Sequence, residues 1–332
     1  MSGPHPAVAA VRSAVRRGLA DVGTEPPPLV LVALSGGPDS LALAAACAFE
    51  ARRTHLRAGA VVVDHGLQPR SARAAATAAK WAARTGLDPV RVVGVEVGAD
   101  GGPEAAARAA RYQALRDVAV ELSAAAVLLG HTRDDQAETV LLGLARGSGA
   151  RSLAGMRPVD GLWRRPLLGV SRAQTAAACA AEGLPVWHDP HNDDPGFARV
   201  RVRHDVLGSL TEALGPGVVP ALARTADLLR ADDDALSDWA QALVHDARSD
   251  DGGWVANVLG AVPEAVRSRA LRAIALAAGV PGGSLTAQHV QTLSAFVTAW
   301  HGQGPAALPG GVTADRRCGR LYVAAEPLDD PG

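Results

Sequence analysis

Residues Ser35-Gly36-Gly37-Pro38-Asp39-Ser40 put two hydroxyls, two residues without side chains and one carboxylate within six positions. Glycines let a backbone approach an anion closely, and the free N–H groups and dipole of a following helix favour phosphate there. Ser35 and Ser40 can add hydroxyl hydrogen bonds. Asp39 would repel a phosphate unless a cation stands between them, so its presence points to Mg2+. The same residues also spell an ordinary Gly-Pro turn capped by Ser and Asp. With no lysine nearby this is not the Gly-Lys-Ser/Thr loop of many ATPases, and it is not a Gly-x-Gly-x-x-Gly element.

Gly130-His131-Thr132-Arg133-Asp134-Asp135-Gln136-Ala137-Glu138-Thr139 is the second candidate. If a helix starts near Arg133, Asp134 and Glu138 lie one turn apart on one face, with His131 just ahead of it. Acidic residues in a first turn also serve the helix dipole. That accounts for Asp134 or Asp135, but not for His131 and Glu138 as well. Among the cations, Arg108 and Arg111 share a helix face beside Tyr112. Arg199, Arg201 and Arg203 alternate, so a strand would align them and a loop would fan them out. Guanidinium groups donate paired hydrogen bonds to phosphate, yet any one of them fits a solvated or ion-paired surface equally. His65, His188 and His191 each fit a satisfied structural histidine, His188 best of all.

These residues need a scaffold, and the pattern supplies one. Leu29 to Leu34 is short and continuously apolar, as in a strand covered on both faces. Helical-looking Leu41 to Arg53 follows, then Ala60 to Val63, a helix from Ser71 to Thr85, and Val90 to Val97. A Pro-initiated helix over Pro103 to Leu122, the strand Ala126 to Leu129 and the helix Asp134 to Leu144 complete the series. Such alternation predicts an α/β fold, a doubly wound parallel sheet with helices on both faces. The first candidate loop follows the first strand and the second follows the fourth, at the carboxyl ends where such sheets bind ligands. Arg146 to Arg165 reads as loop and hairpin, Ser171 to Glu182 as helix and His188 to Gly196 as turn. From about Pro216 the chain reads as helical, broken by Pro220, Pro263 and Pro281, and closes on a short strand pair over Val312 to Val323. The expected organisation is a helical lead-in over 1–27, a catalytic domain over 28–212 and a smaller, mainly helical domain over 213–332.

Composition sets the outer limits. The 332 residues carry 33 Lys+Arg against 34 Asp+Glu, 48% hydrophobic and 20% charged residues, which excludes a disordered chain. Lys80 is the single lysine. Residues 205–332 hold 9 Lys+Arg and 15 Asp+Glu, whereas 1–204 hold 24 and 19, so a polyanion would meet the first part. Cys47, Cys179 and Cys318 are too few and too far apart for a disulfide framework or a Cys-x-x-Cys metal site. Arg12, Arg16 and Arg17 interrupt the opening apolar stretch, so it is no signal peptide, and no apolar run reaches the roughly 20 residues of a membrane span. A soluble cytoplasmic protein without membrane contact is the expectation.

Ser-Gly-Gly-x-Asp-Ser resembles the signature of the PP-loop ATP pyrophosphatases, and the second candidate segment resembles a hallmark of the tRNA(Ile)-lysidine synthases within that group. Further matches run in the same order: Val63-Asp-His-Gly-Leu67, Glu104 to Tyr112 with its Ala-Arg-x-x-Arg-Tyr pattern, Arg146-Gly-Ser-Gly149, Leu153-Ala-Gly-Met156, Arg165-Pro-Leu-Leu168, Asp189-Pro-His-Asn192 and Phe197 to Arg203. The resemblance covers about 29–210 closely and the rest loosely. His191 stands where the family commonly has Ser, and Val200 where it commonly has Asn.

The resemblance implies ATP-dependent ligation of L-lysine to C2 of the wobble cytidine of tRNA(Ile) with a CAU anticodon, through an adenylated cytidine, with AMP and diphosphate as products. Ser35, Gly36, Gly37, Pro38, Asp39 and Ser40 would then bind ATP. Asp39, His131, Asp134, Asp135, Glu138 and Arg108 would be catalytic, with Asp39 and Asp135 as candidate Mg2+ ligands. The three carboxylates would answer the lysine ammonium, and His131 or one of them would take its proton. Which acid serves metal and which serves lysine stays open. Arg111, Tyr112, Arg146, Arg199, Arg201 and Arg203 would meet the tRNA, whose anticodon loop offers single-stranded bases. The acidic C-terminal part would check tRNA shape. A tRNA-thiolating relative would be expected to use Cys-x-x-Cys pairs, and a binding module without chemistry would show a degraded acidic cluster. An amide-forming synthetase of the same superfamily is a further option. The oligomeric state stays open, a homodimer included.

Overall fold

The computed structural model describes residues 3–23, 27–66, 71–96, 98, 103–147, 149–187, 189 and 193–325. Motif positions Leu67, Ser148, His188, Pro190, His191 and Asn192, and the side chain of Glu104, lie outside the described residues. Two compact units divide the chain between Leu229 and Arg230.

In the first unit, α1 (Pro6–Gly18), β1 (Leu29–Ala33), α2 (Pro38–Ala51), β2 (Arg57–Asp64), α3 (Ser71–Arg84), β3 (Val90–Gly94), α4 (Pro103–Glu121), β4 (Ala126–Leu128) and α5 (Arg133–Ala145) alternate. A short α6 (Ala150–Leu153), the strands β5 (Val159–Asp160) and β6 (Trp163–Arg164), and α7 (Arg172–Glu182) follow. The sheet order is β3-β2-β1-β4-β6-β5. All neighbours are parallel except β5 and β6. Arg146 to Arg165 holds the expected hairpin, β5 with β6, which adds two strands to the sheet edge, and a helical turn, α6, stands within the expected loop.

β1 is apolar throughout because both its faces are covered. Val30 and Val32 pack with Val11 and Val15 of α1 and Leu41 and Ala44 of α2. Leu29 and Leu31 pack with Leu115 and Val118 of α4 and with Trp163. Each such side chain contributes about 1.5–3 kcal/mol relative to exposure. α1 also lies on α7, where Arg12 of α1 and Glu182 pair at 2.6 Å. The chain runs outward from β1 through β2 to β3, then returns to β4 on the other side of β1. This reversal opens a crevice at the carboxyl ends of β1 and β4, where ligands bind in open α/β sheets.

Beyond α7, a short α8 (Ala198–Arg201) runs into a wide π-type turn over Val202–Val206 and then α9 (Leu207–Leu214). The three alternating arginines thus lie in neither strand nor loop. α10 (Val218–Asp246) spans 29 residues. Pro220 sits in its first turn, where a missing N–H breaks no helical bond, so it starts this helix instead of interrupting it.

The second unit is built on α12 (Glu264–Ala277), α13 (Ala287–Thr298) and the short α11 (Ala256–Gly260), with Leu271, Ile274, Leu293 and Phe296 in its core. The closing strands β9 (Val312–Arg317) and β10 (Arg320–Ala324) form the expected pair. They belong to a larger antiparallel sheet with β7 (Trp254–Val255) and β8 (Ala306–Leu308), in the order β7-β10-β9-β8. Among the described residues no single helix is long and apolar enough to cross a membrane.

Candidate active site

The Ser35–Ser40 loop joins β1 to α2 and is tied internally. The Ser40 hydroxyl donates to the Gly37 carbonyl at 3.0 Å and accepts from the Ser35 N–H at 3.2 Å; the two hydroxyls lie 3.1 Å apart. Gly36 has φ +86°, open to glycine at no cost, and its carbonyl accepts from the Trp187 N–H at 3.0 Å. Gly37 caps α2 without a side-chain hydrogen bond, which leaves the first N–H groups of the helix free for an anion.

The segment after β4 lies directly against this loop. A Cβ at Gly130 would stand 3.1 Å from the Ser40 nitrogen and 3.2 Å from the Asp39 carbonyl carbon. Thr132 is the N-cap of α5 in a reciprocal capping box with Asp135. Its N–H donates to Asp135 Oδ2 at 2.7 Å. Gln136 is structural too: its amide accepts from the Met156 N–H at 2.8 Å and donates to the Met156 carbonyl at 3.1 Å. Helix capping therefore does explain one acid of the motif, while His131, Asp134 and Glu138 are left for other work.

A cleft of about 310 Å³ opens over the ends of β1, β2 and β4. Its lining brings together Ser35, Gly37, Asp39, Ser40, His65, Arg111, His131 and Trp187. His65 Nδ1, Arg111 Nε and His131 Nδ1 are buried without a hydrogen-bond partner, so His65 is not a satisfied structural histidine. Burial, aided by Arg111, Arg165 and Arg108 and opposed by Asp135, pushes His131 down to about 3, so it is a neutral imidazole. Burial also lowers His65, with Arg111 adding to the effect. Asp39 moves the other way: burial above all, and Asp135 as well, push it up to about 6 against Thr175, Arg172 and Arg203.

Beside the cleft stands an ion-pair network. The Glu138 carboxylate is fully buried and accepts from Arg172 at 3.0 Å and from Arg203 Nε at 2.8 Å, with Arg199 Nε at 3.8 Å. Asp135 Oδ1 meets Arg172 at 3.0 Å and Arg203 at 3.5 Å. Asp134 accepts from the Arg172 backbone N–H at 2.9 Å. The remaining predicted residues do not line the cleft. Arg108 donates to the Tyr112 hydroxyl at 3.2 Å, and the Tyr112 ring packs edge-on against Trp163 at 4.8 Å. Arg201 donates to the carbonyls of Pro195 and Gly196, and Arg146 is exposed at the far end of α5.

Three participants escaped the motif reading. Arg172 is the first helical residue of α7, after the Ser171–Gln174 capping box. A cation there opposes the helix dipole, and that misfit was the available signal that acids must face it. Thr175 donates to Asp39 Oδ1 and carried no signal. Trp187, in a chain with 3% aromatic residues, was a weak one.

Comparison with known proteins agrees with this geometry. A PP-loop domain family matches residues 12–210, and a TilS substrate binding domain matches residues 256–322. The chain is 53% identical to a tRNA(Ile)-lysidine synthase of Streptomyces coelicolor, with 97% of this chain and 99% of that one covered. It is 55% identical to one from Thermobifida fusca (98% and 100%) and 56% identical to one from Salinispora tropica (100% and 99%). In fold, the U34-tRNA thiolase NcsA from Methanococcus maripaludis superposes with a TM-score of 0.57 at 19% identity, over 68% of this chain and 80% of that one. Joining a PP-loop domain to a TilS substrate binding domain, and matched nearly end to end by these synthases, the chain belongs to the tRNA(Ile)-lysidine synthase family.

Proposed function

We propose that this protein ligates free L-lysine to C2 of the wobble cytidine of tRNA(Ile) bearing a CAU anticodon, with ATP converted to AMP and diphosphate. The observation that carries the proposal is the convergence of the Ser35–Ser40 loop, His131 and Arg111 on one cleft at the strand-order reversal, with Asp134, Asp135 and Glu138 in the adjoining helix.

In the first step the cytidine C2 oxygen attacks the α-phosphorus of ATP and diphosphate leaves. The free N–H groups of α2, with Ser35 and Ser40, hold the departing charge where it develops. Asp39 lines the cleft, and its hard oxygens suit Mg2+. Of the two candidate ligands it is the better fit, because Asp135 spends both oxygens on Thr132, Arg172 and Arg203. A cation bound there would neutralise phosphate charge. In the second step the lysine ε-amine attacks C2 and AMP departs. Asp134 is the first choice for the incoming ammonium, because Asp135 and Glu138 are already engaged with arginines. Arg172, Arg199 and Arg203 nearby favour its neutral, nucleophilic form. Neutral His131 can accept a hydrogen bond, while the released proton falls to Asp134, because a ring held down to about 3 is a poor base at neutral pH. Arg111, with an unsatisfied buried Nε, suits an acceptor on the cytidine or a phosphate. The region over 213–332 is assigned to tRNA recognition.

The test combines protein, ATP, Mg2+, labelled lysine and an unmodified tRNA(Ile) transcript. Alkali-stable label in RNA that requires ATP and the wobble cytidine is expected. AMP release with a different acceptor would retain the ATP chemistry and remove the substrate assignment.

A further inference from the structure

α7 turns one face toward the site, with Arg172, Thr175 and Cys179 at i, i+3 and i+7. Arg172 reaches Asp135 and Glu138, the Thr175 hydroxyl donates to Asp39 Oδ1, and Cys179 Sγ lies 3.2 Å from the Pro38 carbonyl. Thr175 has no exposed surface. A buried helical threonine is normally satisfied by a carbonyl one turn back. Thr175 already has that partner, the Arg172 carbonyl at 2.8 Å. Its approach to Asp39 therefore does nothing for its own satisfaction. Asp39, by contrast, has no other hydrogen-bond donor among the described residues.

We propose that Thr175 is a positioning residue for the nucleotide step: its hydroxyl holds the Asp39 carboxylate in one orientation at the loop and turns back to the Arg172 carbonyl when a cation takes its place. One proton with two acceptors in reach makes this exchange cheap, because neither position of the hydroxyl leaves a buried donor unpaired. A valine of the same shape would leave Asp39 free to rotate, and the cation would have to order it on binding. The inference rests on the assignment of Asp39 to the cation of Mg·ATP.

The test measures Mg·ATP affinity calorimetrically, without lysine or tRNA, for the full-length protein, Thr175→Val, Thr175→Ser, Asp39→Asn and the Asp39→Asn/Thr175→Val double variant. Thr175→Val should bind Mg·ATP about tenfold more weakly, the worth of one charge-assisted hydrogen bond. Thr175→Ser should restore the affinity. In steady state KM for ATP should rise while kcat changes less, and ATP without Mg2+ should bind Thr175→Val and wild type alike. In the Asp39→Asn background, Thr175→Val should add nothing. Wild-type affinity in Thr175→Val alongside weakened Asp39→Asn would overturn the positioning role and leave the Asp39 assignment intact. An undiminished effect in the Asp39→Asn background would also overturn it, because the threonine would then be acting through helix packing. Normal binding by Asp39→Asn itself would remove both. If Thr175→Val loses its cooperative thermal transition, Thr175→Ala provides the same comparison.

Discussion

Glu138 and Arg203, 65 positions apart in sequence, meet at 2.8 Å around a carboxylate with no exposed surface. The pair ties the first turns of α5 to the π-type turn after α8, and Arg172 joins from α7. Removing the acid leaves Asp135 alone to answer Arg172 and Arg203 and takes the carboxylate from Arg199, whereas removing Arg203 leaves Glu138 still answered by Arg172. Glu138→Gln should therefore lower unfolding stability by about 3 kcal/mol or more, and Arg203→Met by clearly less. Urea denaturation of both variants decides the order, and equal losses would mean that Arg172 does not compensate.

Asp39→Ala should cut AMP formation by about a hundredfold or more, the scale of losing a group that stabilises developing charge. Far-ultraviolet circular dichroism and thermal midpoint should stay near wild type, since burial makes the charged carboxylate a cost to the fold and not a support. Unchanged turnover would defeat the assignment of the loop.

Gly130→Ala places a methyl 3.1 Å from the Ser40 nitrogen, against backbone that cannot swing aside. An overpacking cost of about 1–3 kcal/mol is expected. It should appear as a lower thermal midpoint together with a raised KM for ATP and little change in KM for lysine.

The histidine at the crevice gives a pH signature. Unfolded, His131 takes a proton near ~6.5; folded, burial holds it down to about 3. The folded state thus forgoes a proton that the unfolded chain binds, so its stabilising contribution is complete above ~6.5 and is lost as pH falls from there toward about 3. His131→Gln should flatten the fall in urea midpoint between roughly pH 7 and 4.5. A variant with the wild-type slope would refute the buried neutral imidazole.

Truncation ahead of Val218 should weaken discrimination between tRNA(Ile) and other tRNAs while sparing ATP binding. Filter binding with competing tRNAs measures it, and equal selectivity would remove tRNA recognition from the C-terminal part.

Much of this was legible in residues whose local chemistry and position agree. The apolar run at Leu29 marked a strand buried on both faces, and Gly36 with Gly37 marked a loop between strand and helix. Thr132 with the acids after it marked the start of α5. What stayed hidden depended on distant partners. Arg199 and Arg203 alternate with Arg201 as in a strand, but a wide helical turn sends two of them to Glu138 and one to nearby carbonyls. Trp163 and Arg164 are too short a run to announce a strand and become one only by pairing with β4. Thr175 looks like any helical threonine until α2 is packed beside it. Pro220 reads as a break in the sequence because its place in a first turn depends on where α10 begins.

The packing of α1 on α7 also sets a schedule for synthesis. Arg12 and Glu182 lie 170 positions apart, so the side of α1 that meets α7 has no permanent cover until residue 182 has left the ribosome, although β1 and α2 can already hold Val11 and Val15. At roughly 5–20 residues per second that interval is on the order of ten seconds or more. Through it, the α7-facing side of α1 is exposed to chaperones and to neighbouring nascent chains. Slower translation through the first 180 codons should lengthen that exposure and lower soluble yield, with no change in the finished fold.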